Sequence, residues 1–343
     1  MLKLSACLTA LAFLALTACT PLRLTMDLRP ATSGFAKSEV LRDRGASRNS
    51  PAVALIGVTG MIADARTPGM VGSTPGLVDQ VAAQLRAVEH DPDIKAVVLR
   101  INSPGGTVTG SDILHREIRR FAQDSGKPVV ASMGEVAASG GYYISLACDE
   151  LYAEPTSITA SIGVIIQTFN IHEGLSRLGI QARALTSGPN KAMGSPFEPP
   201  SEAQVALLQG IVDRFYARFR GLVVERRGEK LDRSKLDTMT DGRVVIGEQA
   251  LELGLIDHVG GVREAFEGAK ALAGLDKARL VAIHDAGAAP GSPWGALAGA
   301  DPNATTSADR EINLVQLRLG AGAGMSAAPG VGFYYLWSPP ELP

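Results

Sequence analysis

Apolar positions in this chain follow two rhythms. Residues 52–58 and 94–101 are nearly continuous apolar runs of strand length, as strands covered on both faces require. Between them, Leu77, Val78, Val81, Leu85 and Val88 recur at helical spacing, and Ile113, Leu114, Ile118 and Phe121 do so again further on. Residues 127–134 read as a third short buried strand ending in a turn. The stretch 137–144 starts small and turns apolar, like the first turns of a helix packed on a sheet. Beyond it, 151–153 reads as a strand, 171–178 as helical, 182–186 as extended, and 202–227 as the longest helical pattern, ending at Gly228. A turn and strand at 241–246, a short helix at 248–253 and a last helix at 262–272 follow. This alternation predicts an α/β domain with a mostly parallel sheet and right-handed crossovers.

Both ends break the rhythm. Met1-Leu2-Lys3 precedes an apolar run, residues 4–18, too short to span a bilayer comfortably and shaped like a secretory signal. It ends in Leu16-Thr17-Ala18-Cys19, which resembles the lipobox of bacterial lipoproteins. That resemblance implies cleavage before Cys19, a diacylglycerol on its thiol, and an anchored protein in the cell envelope facing the periplasm or exterior. Residues 1–18 are thus expected to be a signal peptide, 19–50 a tether and 51–280 the folded domain. Residues 281–343 are expected to form an Ala/Gly/Pro-rich tail. The tail closes on Phe333-Tyr334-Tyr335-Leu336-Trp337, aromatics of the kind disordered segments lack. Three readings stay open for this end: ordinary core, a strand or anchor docked on its own or a neighbouring subunit, or a tethered substrate in a neighbour's groove.

Composition narrows the class. The chain has 343 residues, 45% of them apolar, enough for a sizeable core, and a net charge of −2, which points away from nucleic acid. Of the cysteines, Cys7 falls in the signal, Cys19 in the lipobox, and Cys148 reads as a buried small hydrophobe, so no disulfide framework is expected. There is no CxxC or HExxH, and neither a metal nor another cofactor is expected.

Candidate chemistry centres on Ser139 in Ala137-Ala138-Ser139-Gly140-Gly141-Tyr142-Tyr143-Ile144. The small flanking residues let another chain approach the hydroxyl. The same letters also read as an ordinary helix N-cap. A nucleophilic serine needs a base and a place for the oxyanion. None of the five histidines (His90, His115, His172, His258 and His284) lies in a glycine-rich turn, which disfavours a Ser-His-Asp triad. Lys191 lies between Pro189 and Pro196 with no other charge from residue 184 to 196. That setting suits a desolvated lysine base, and equally a solvated loop lysine.

Four motifs in order sharpen this picture: Ala138-Ser139-Gly140-Gly141-Tyr142-Tyr143, Ser161-Ile162-Gly163-Val164, Ser187-Gly188-Pro189-Asn190-Lys191 and Asp241-Gly242-Arg243-Val244. The set resembles the signal peptide peptidase A family over residues 51–272. Ile101-Asn102-Ser103-Pro104-Gly105-Gly106 is similar to a motif of the Clp protease proteolytic subunit. The resemblance implies the Clp protease/crotonase-like fold of repeated ββα units. It implies Ser139 as nucleophile, Lys191 as general base, Ser161 orienting the lysine, and an oxyanion hole from backbone N–H groups at Gly106 and Gly140. Substrates would be remnant signal peptides or other unfolded apolar peptides. Some relatives split serine and lysine between two domain copies; this chain holds both in one, like the shorter type that assembles as a homo-oligomeric ring. The rival readings are a crotonase-like acyl-transfer enzyme and a non-catalytic scaffold on the same fold.

Overall fold

The computed structural model describes residues 34–65, 67–68, 73–285 and 333–337. In chain order the elements begin with strands β1 (Phe35–Arg42), β2 (Ala52–Thr59), β3 (Thr67–Pro68) and β4 (Ser73–Thr74), then helix α1 (Leu77–Glu89). Next come β5 (Ile94–Ser103), β6 (Gly105–Thr107), α2 (Val108–Ser125), β7 (Val129–Ala138), α3 (Gly140–Ser145), β8 (Glu150–Ala153), β9 (Ile158–Ala160) and β10 (Ile165–Ile166). The remainder is α4 (His172–Arg177), α5 (Glu202–Arg227), α6 (Leu236–Met239), β11 (Val244–Ile246), α7 (Gly247–Glu252), β12 (His258–Val259), α8 (Val262–Leu272), β13 (Arg279–Asp285) and β14 (Phe333–Leu336).

The main sheet runs β1-β13-β2-β5-β7-β8-β12, with β9 branching from β7 and β11 pairing with β9. Pairing is parallel from β13 to β12 and antiparallel at β1–β13 and β9–β11. The sheet is therefore mixed and mostly parallel. Alternate residues of a strand face opposite sides, and here both sides are covered. Val53, Leu55, Ala96, Val98 and Val130 pack under α8 through Val262, Ala265, Phe266 and Ala269. Ala54, Ile56, Val97, Leu99 and Ile101 face the other way, against Val81 and Leu85 of α1 and Leu114, Ile118 and Phe121 of α2. Double coverage is why these strands read as unbroken apolar runs.

Local signals set the helix ends. Thr107 caps α2 by accepting from the Gly110 amide at 3.0 Å, and Gly126 ends it with φ 66°. Ser201 and Gln204 form a capping box at the start of α5.

The stretch expected to be a tether instead contributes β1. It pairs antiparallel with β13 from Phe35 opposite Asp285 to Arg42 opposite Arg279. The Lys270 ammonium of α8 reinforces this corner at 2.7 Å from the Asp43 carboxylate. The folded domain thus begins well before residue 51. At the other end, β13 carries the fold to Asp285, beyond the expected boundary at 280. The aromatic end of the tail forms β14.

A buried ion pair joins the C-terminal end of α5 to the segment just before β12. Arg227 donates to both Asp257 oxygens at 2.9 and 3.0 Å and to the Gly254 carbonyl at 2.8 Å. Asp257 also accepts from Lys230 at 2.6 Å and from the Leu151 amide at 2.9 Å. Burial alone would raise the Asp257 carboxyl, but the bonds from Arg227 and Lys230 outweigh it and hold the group at about 2. Asp257→Ala leaves the Arg227 guanidinium buried and unpaired and is expected to cost about 3–5 kcal/mol in urea unfolding. In the native chain this contribution is present above the ordinary carboxylate range and is lost as pH falls toward 2. A loss below about 1 kcal/mol would show that the pair contributes little.

Candidate active site

Ser139 ends β7 and occupies the N-cap position of α3, yet it does not behave as a cap. A capping serine has extended backbone and accepts a hydrogen bond from the helix. Ser139 has φ 53° and ψ −111°, and its side chain caps nothing. Its amide donates to the Ala160 carbonyl at 2.7 Å, and its carbonyl accepts from the Tyr143 amide at 2.8 Å. Among the described residues, the non-glycine positions with positive φ are Ser139, Ala160 and Ser161. All three meet at the β7–β9 junction, where Ala138 pairs with Ala160. Such conformations cost about 1–3 kcal/mol each and persist where the surroundings over-determine them.

Glycine backbones crowd the same junction. A side chain at Gly106 would strike the Ile62 carbonyl, which already accepts from the Thr107 amide at 2.9 Å. A methyl group on Gly140 would lie 2.5 Å from the Ser111 hydroxyl and 3.0 Å from both the Gly106 nitrogen and the Gly105 Cα. Gly106 and Gly140, the two expected oxyanion positions, are therefore packed backbone to backbone beside Ser139.

Ser161 is fixed by the turn before β11. Its amide donates to the Arg243 carbonyl at 2.8 Å and its hydroxyl to the Gly242 carbonyl at 3.3 Å. Arg243 in turn bonds the Asp241 carboxylate at 2.7 Å and holds it below the ordinary carboxylate range. The Asp241-Gly242-Arg243-Val244 motif thus acts as the clasp on Ser161.

The structure brings Ser139, Ser161, Gly106 and Gly140 together and leaves Lys191 apart. Lys191 sits exposed in a turn closed by its own amide to the Gly188 carbonyl at 3.2 Å. Among the described residues, no hydrogen bond or ion pair joins its ammonium to Ser139 or Ser161. The loop is tied instead to α5, where Gln204 donates to the Pro189 carbonyl at 2.7 Å. Cys19 lies outside the described residues. No helix among the described residues is long and apolar enough to cross a membrane.

Other features of the site escaped sequence reasoning. The Ser111 hydroxyl and His115 Nε2 are buried without partners. Burial, reinforced by Arg226, pushes the His115 imidazole down to about 4, so it is neutral at physiological pH. His115 packs edge-on against Tyr143, which also meets Phe219 and stacks on Tyr335 at 5.0 Å. The Tyr143 hydroxyl donates to Asp112 at 2.8 Å, an acceptor shared with Arg218. The only hints in the sequence were the adjacent Tyr142-Tyr143 and the aromatic end of the tail.

The Ser139 backbone generates a stability test. Glycine adopts this conformation without strain. Ser139→Gly is expected to stabilise the fold by about 1 kcal/mol, seen as a raised Tm. A Tm lowered as far as glycine's unfolded-state entropy alone predicts, about 0.5–1 kcal/mol of stability, would mean that the Ser139 backbone is not strained.

Residues 121–276 match peptidase family S49. The chain is 35% identical to a putative protease of Synechocystis sp. over 259 residues, covering 75% of this chain and 86% of that one. It is 30% identical to a putative signal peptide peptidase SppA of Enterococcus faecium over 300 residues, 87% and 84% of the two chains. It is also 36% identical to Protease 4 of Salmonella typhi over 234 residues, 68% of this chain but 36% of the relative's length. The strained serine thus sits in a chain that matches proteases along most of its folded length, and the chain belongs to peptidase family S49, the signal peptide peptidase A family of serine peptidases.

Proposed function

We propose that this peptidase is a Ser-Lys endopeptidase cutting extended apolar peptides, remnant signal peptides among them. The observation that carries the reading is Ser139: buried, backbone-strained, capping nothing, and beside the packed backbones of Gly106 and Gly140. In this mechanism the Ser139 hydroxyl oxygen attacks the peptide carbonyl carbon and Lys191 Nζ accepts its proton. The Gly106 and Gly140 amides donate to the oxyanion. The intermediate collapses, the C–N bond breaks, and the leaving amine takes a proton from Lys191. Water then hydrolyses the acyl-serine. Ser161 orients the lysine, and no cofactor takes part. A crotonase-like fold accommodates these roles, because paired backbone donors at one strand end serve any acyl transfer.

A lysine base must be neutral, which requires water to be excluded around it. The loop bearing Lys191 is exposed in the single chain, and the segment 169–197 that contains it also exposes Phe169, Ile171, Leu178, Ile180, Leu185 and Phe197. Covering that apolar surface with neighbouring copies in a ring supplies the exclusion and brings the lysine to a serine. Cys19, lipidated after cleavage of residues 1–18, anchors the assembly to the envelope membrane. The substrate class follows from the name of the Enterococcus relative and from the apolar surroundings of the site.

Ser139→Ala and Lys191→Ala should each abolish cleavage in a peptide library read by mass spectrometry, at least 1,000-fold in kcat/KM, with the double variant no worse. Appreciable turnover by folded Lys191→Ala would remove the lysine from the mechanism. An active species at monomer mass in ultracentrifugation would remove the ring.

Cys19→Ser should lose incorporation of a fatty-acid analogue and leave the membrane fraction. A wild-type protein that is soluble and unlabelled would end the lipoprotein reading.

A further inference from the structure

Helix α5 is buried at one end. Its buried residues are Phe219, Val223 and Arg227, all in its second half. The first half leaves Val205 and Leu207 exposed and carries the Lys191 loop through the bond from Gln204 to the Pro189 carbonyl. Gln204 and Arg218 are fourteen positions apart, about 21 Å of helix. A tilt of about 3° at Arg218 would move the Gln204 end by about 1 Å, and a misplacement of that size costs on the order of 100-fold in rate. Where the loop reaches therefore depends on what holds Arg218.

Arg218 is held by Asp112. Aspartate is a poor helix former, yet Asp112 sits inside α2, past its N-cap Thr107. One carboxylate oxygen, Oδ2, pairs with Arg116 of the same helix at 3.3 Å. The other, Oδ1, accepts from the Tyr143 hydroxyl of α3 at 2.8 Å and from Arg218 Nε of α5 at 3.1 Å. Burial alone would raise the Asp112 carboxyl, but the bonds from Arg218 and Tyr143 outweigh it and hold the group below the ordinary carboxylate range. Burial, reinforced by Asp112, pushes the Tyr143 phenol up to about 12, so it remains a donor wherever a lysine base would work. The Tyr143 amide is also the one that donates to the Ser139 carbonyl at 2.8 Å. A continuous hydrogen-bonded path thus runs from Ser139 through Tyr143 and Asp112 to Arg218.

Apolar contact alone would not fix the helix this way. Tyr143 meets Phe219 edge-on at 5.0 Å, which keeps α5 on the core, but burial of apolar surface is not directional. Charge-assisted bonds converging on one oxygen are directional and set both the rotation and the tilt of the helix. Resting on the peptidase reading above, we propose that Asp112 is a positioning residue, which locks α5 to the serine turn and so sets where the Lys191 loop reaches. It touches neither the peptide nor the reacting atoms, and acts through Tyr143 on one side and Arg218 on the other. Every copy in a ring places its serine turn and its lysine loop through this same junction.

The test measures cleavage of a fluorogenic peptide by the full chain. The Arg218 side chain is 56% exposed, so Arg218→Ala keeps the fold even if Asp112→Ala does not. Each should lower kcat on the order of 10-fold with KM within about 2-fold, and the double variant should be no worse than Asp112→Ala, because both act through one junction. Asp112→Asn keeps an acceptor of the same shape and should stay within about 3-fold of wild type. Unchanged kcat, a loss confined to KM, or losses that multiply in the double variant overturn the proposal, as does Asp112→Asn falling as far as Asp112→Ala. Hydrogen exchange separates these outcomes from failure of the peptidase reading. In a Ser139→Ala background, Asp112→Ala and Arg218→Ala should speed exchange in residues 202–214 on the order of 10-fold, with residues 52–58 and 94–101 unchanged. Exchange at 202–214 as slow as in Ser139→Ala alone refutes the lock even if no peptide is ever cleaved.

Discussion

The structure depends on one backbone junction, where β7 stops, Ser139 turns and α3 begins. The amide-to-carbonyl bond from Ser139 to Ala160 fixes the turn from one side, and the Tyr143 amide fixes it from the other. Neither bond alone would hold φ at 53° in a residue with a side chain. The parallel pairing of β7 with β5 and β9 makes the strand end immovable, and the glycines let neighbouring backbones close in. Local strain of a few kcal/mol is tolerable because the surrounding strands are buried on both faces.

Around this junction the packing is aromatic. Tyr143 links α3 to α2 through Asp112, to α5 through Phe219 and Arg218, and to β14 through Tyr335. Helix α5 is anchored through its second half, where Phe219, Val223 and Arg227 are buried. Its first half keeps Val205 and Leu207 exposed and carries the Lys191 loop through Gln204. The helix therefore has a fixed end at the core and a presenting end at the surface, and the two ends have different packing to hold them.

What could be read from the sequence follows the same physics. The parallel strands at 52–58 and 94–101 were visible because double coverage demands apolar residues at every position. The helix at 202–227 was visible from its long helical pattern and the Gly228 that ends it, whereas its Ser201–Gln204 capping box emerged only in the structure. Strand β1 was hidden because an edge strand is half-wet, and Lys37, Glu39 and Arg42 give it the look of a linker. The partners of β14 were hidden because they lie more than 150 residues away. The letters around Ser139 fit a cap and a nucleophile equally well. Only the backbone angles separate the two, and no single sequence prints them. The Lys191 loop stayed open to both readings for a related reason: a charge-poor, proline-bounded loop is also what a surface turn looks like.

The half-wet character of β1 has a consequence for handling the protein. Beneath it, Leu280, Val281, Ala282 and Ile283 of β13 form a flat apolar strand with hydrogen-bonding groups that β1 satisfies. The irregular register between Glu39 and Leu41, with charges on the outer strand, makes β1 a poor template for further pairing. A chain trimmed to begin at residue 51, where the apolar pattern starts, would bare the β13 edge instead. Edge-to-edge aggregation of such a fragment would reflect the missing strand and not a defect of the domain itself.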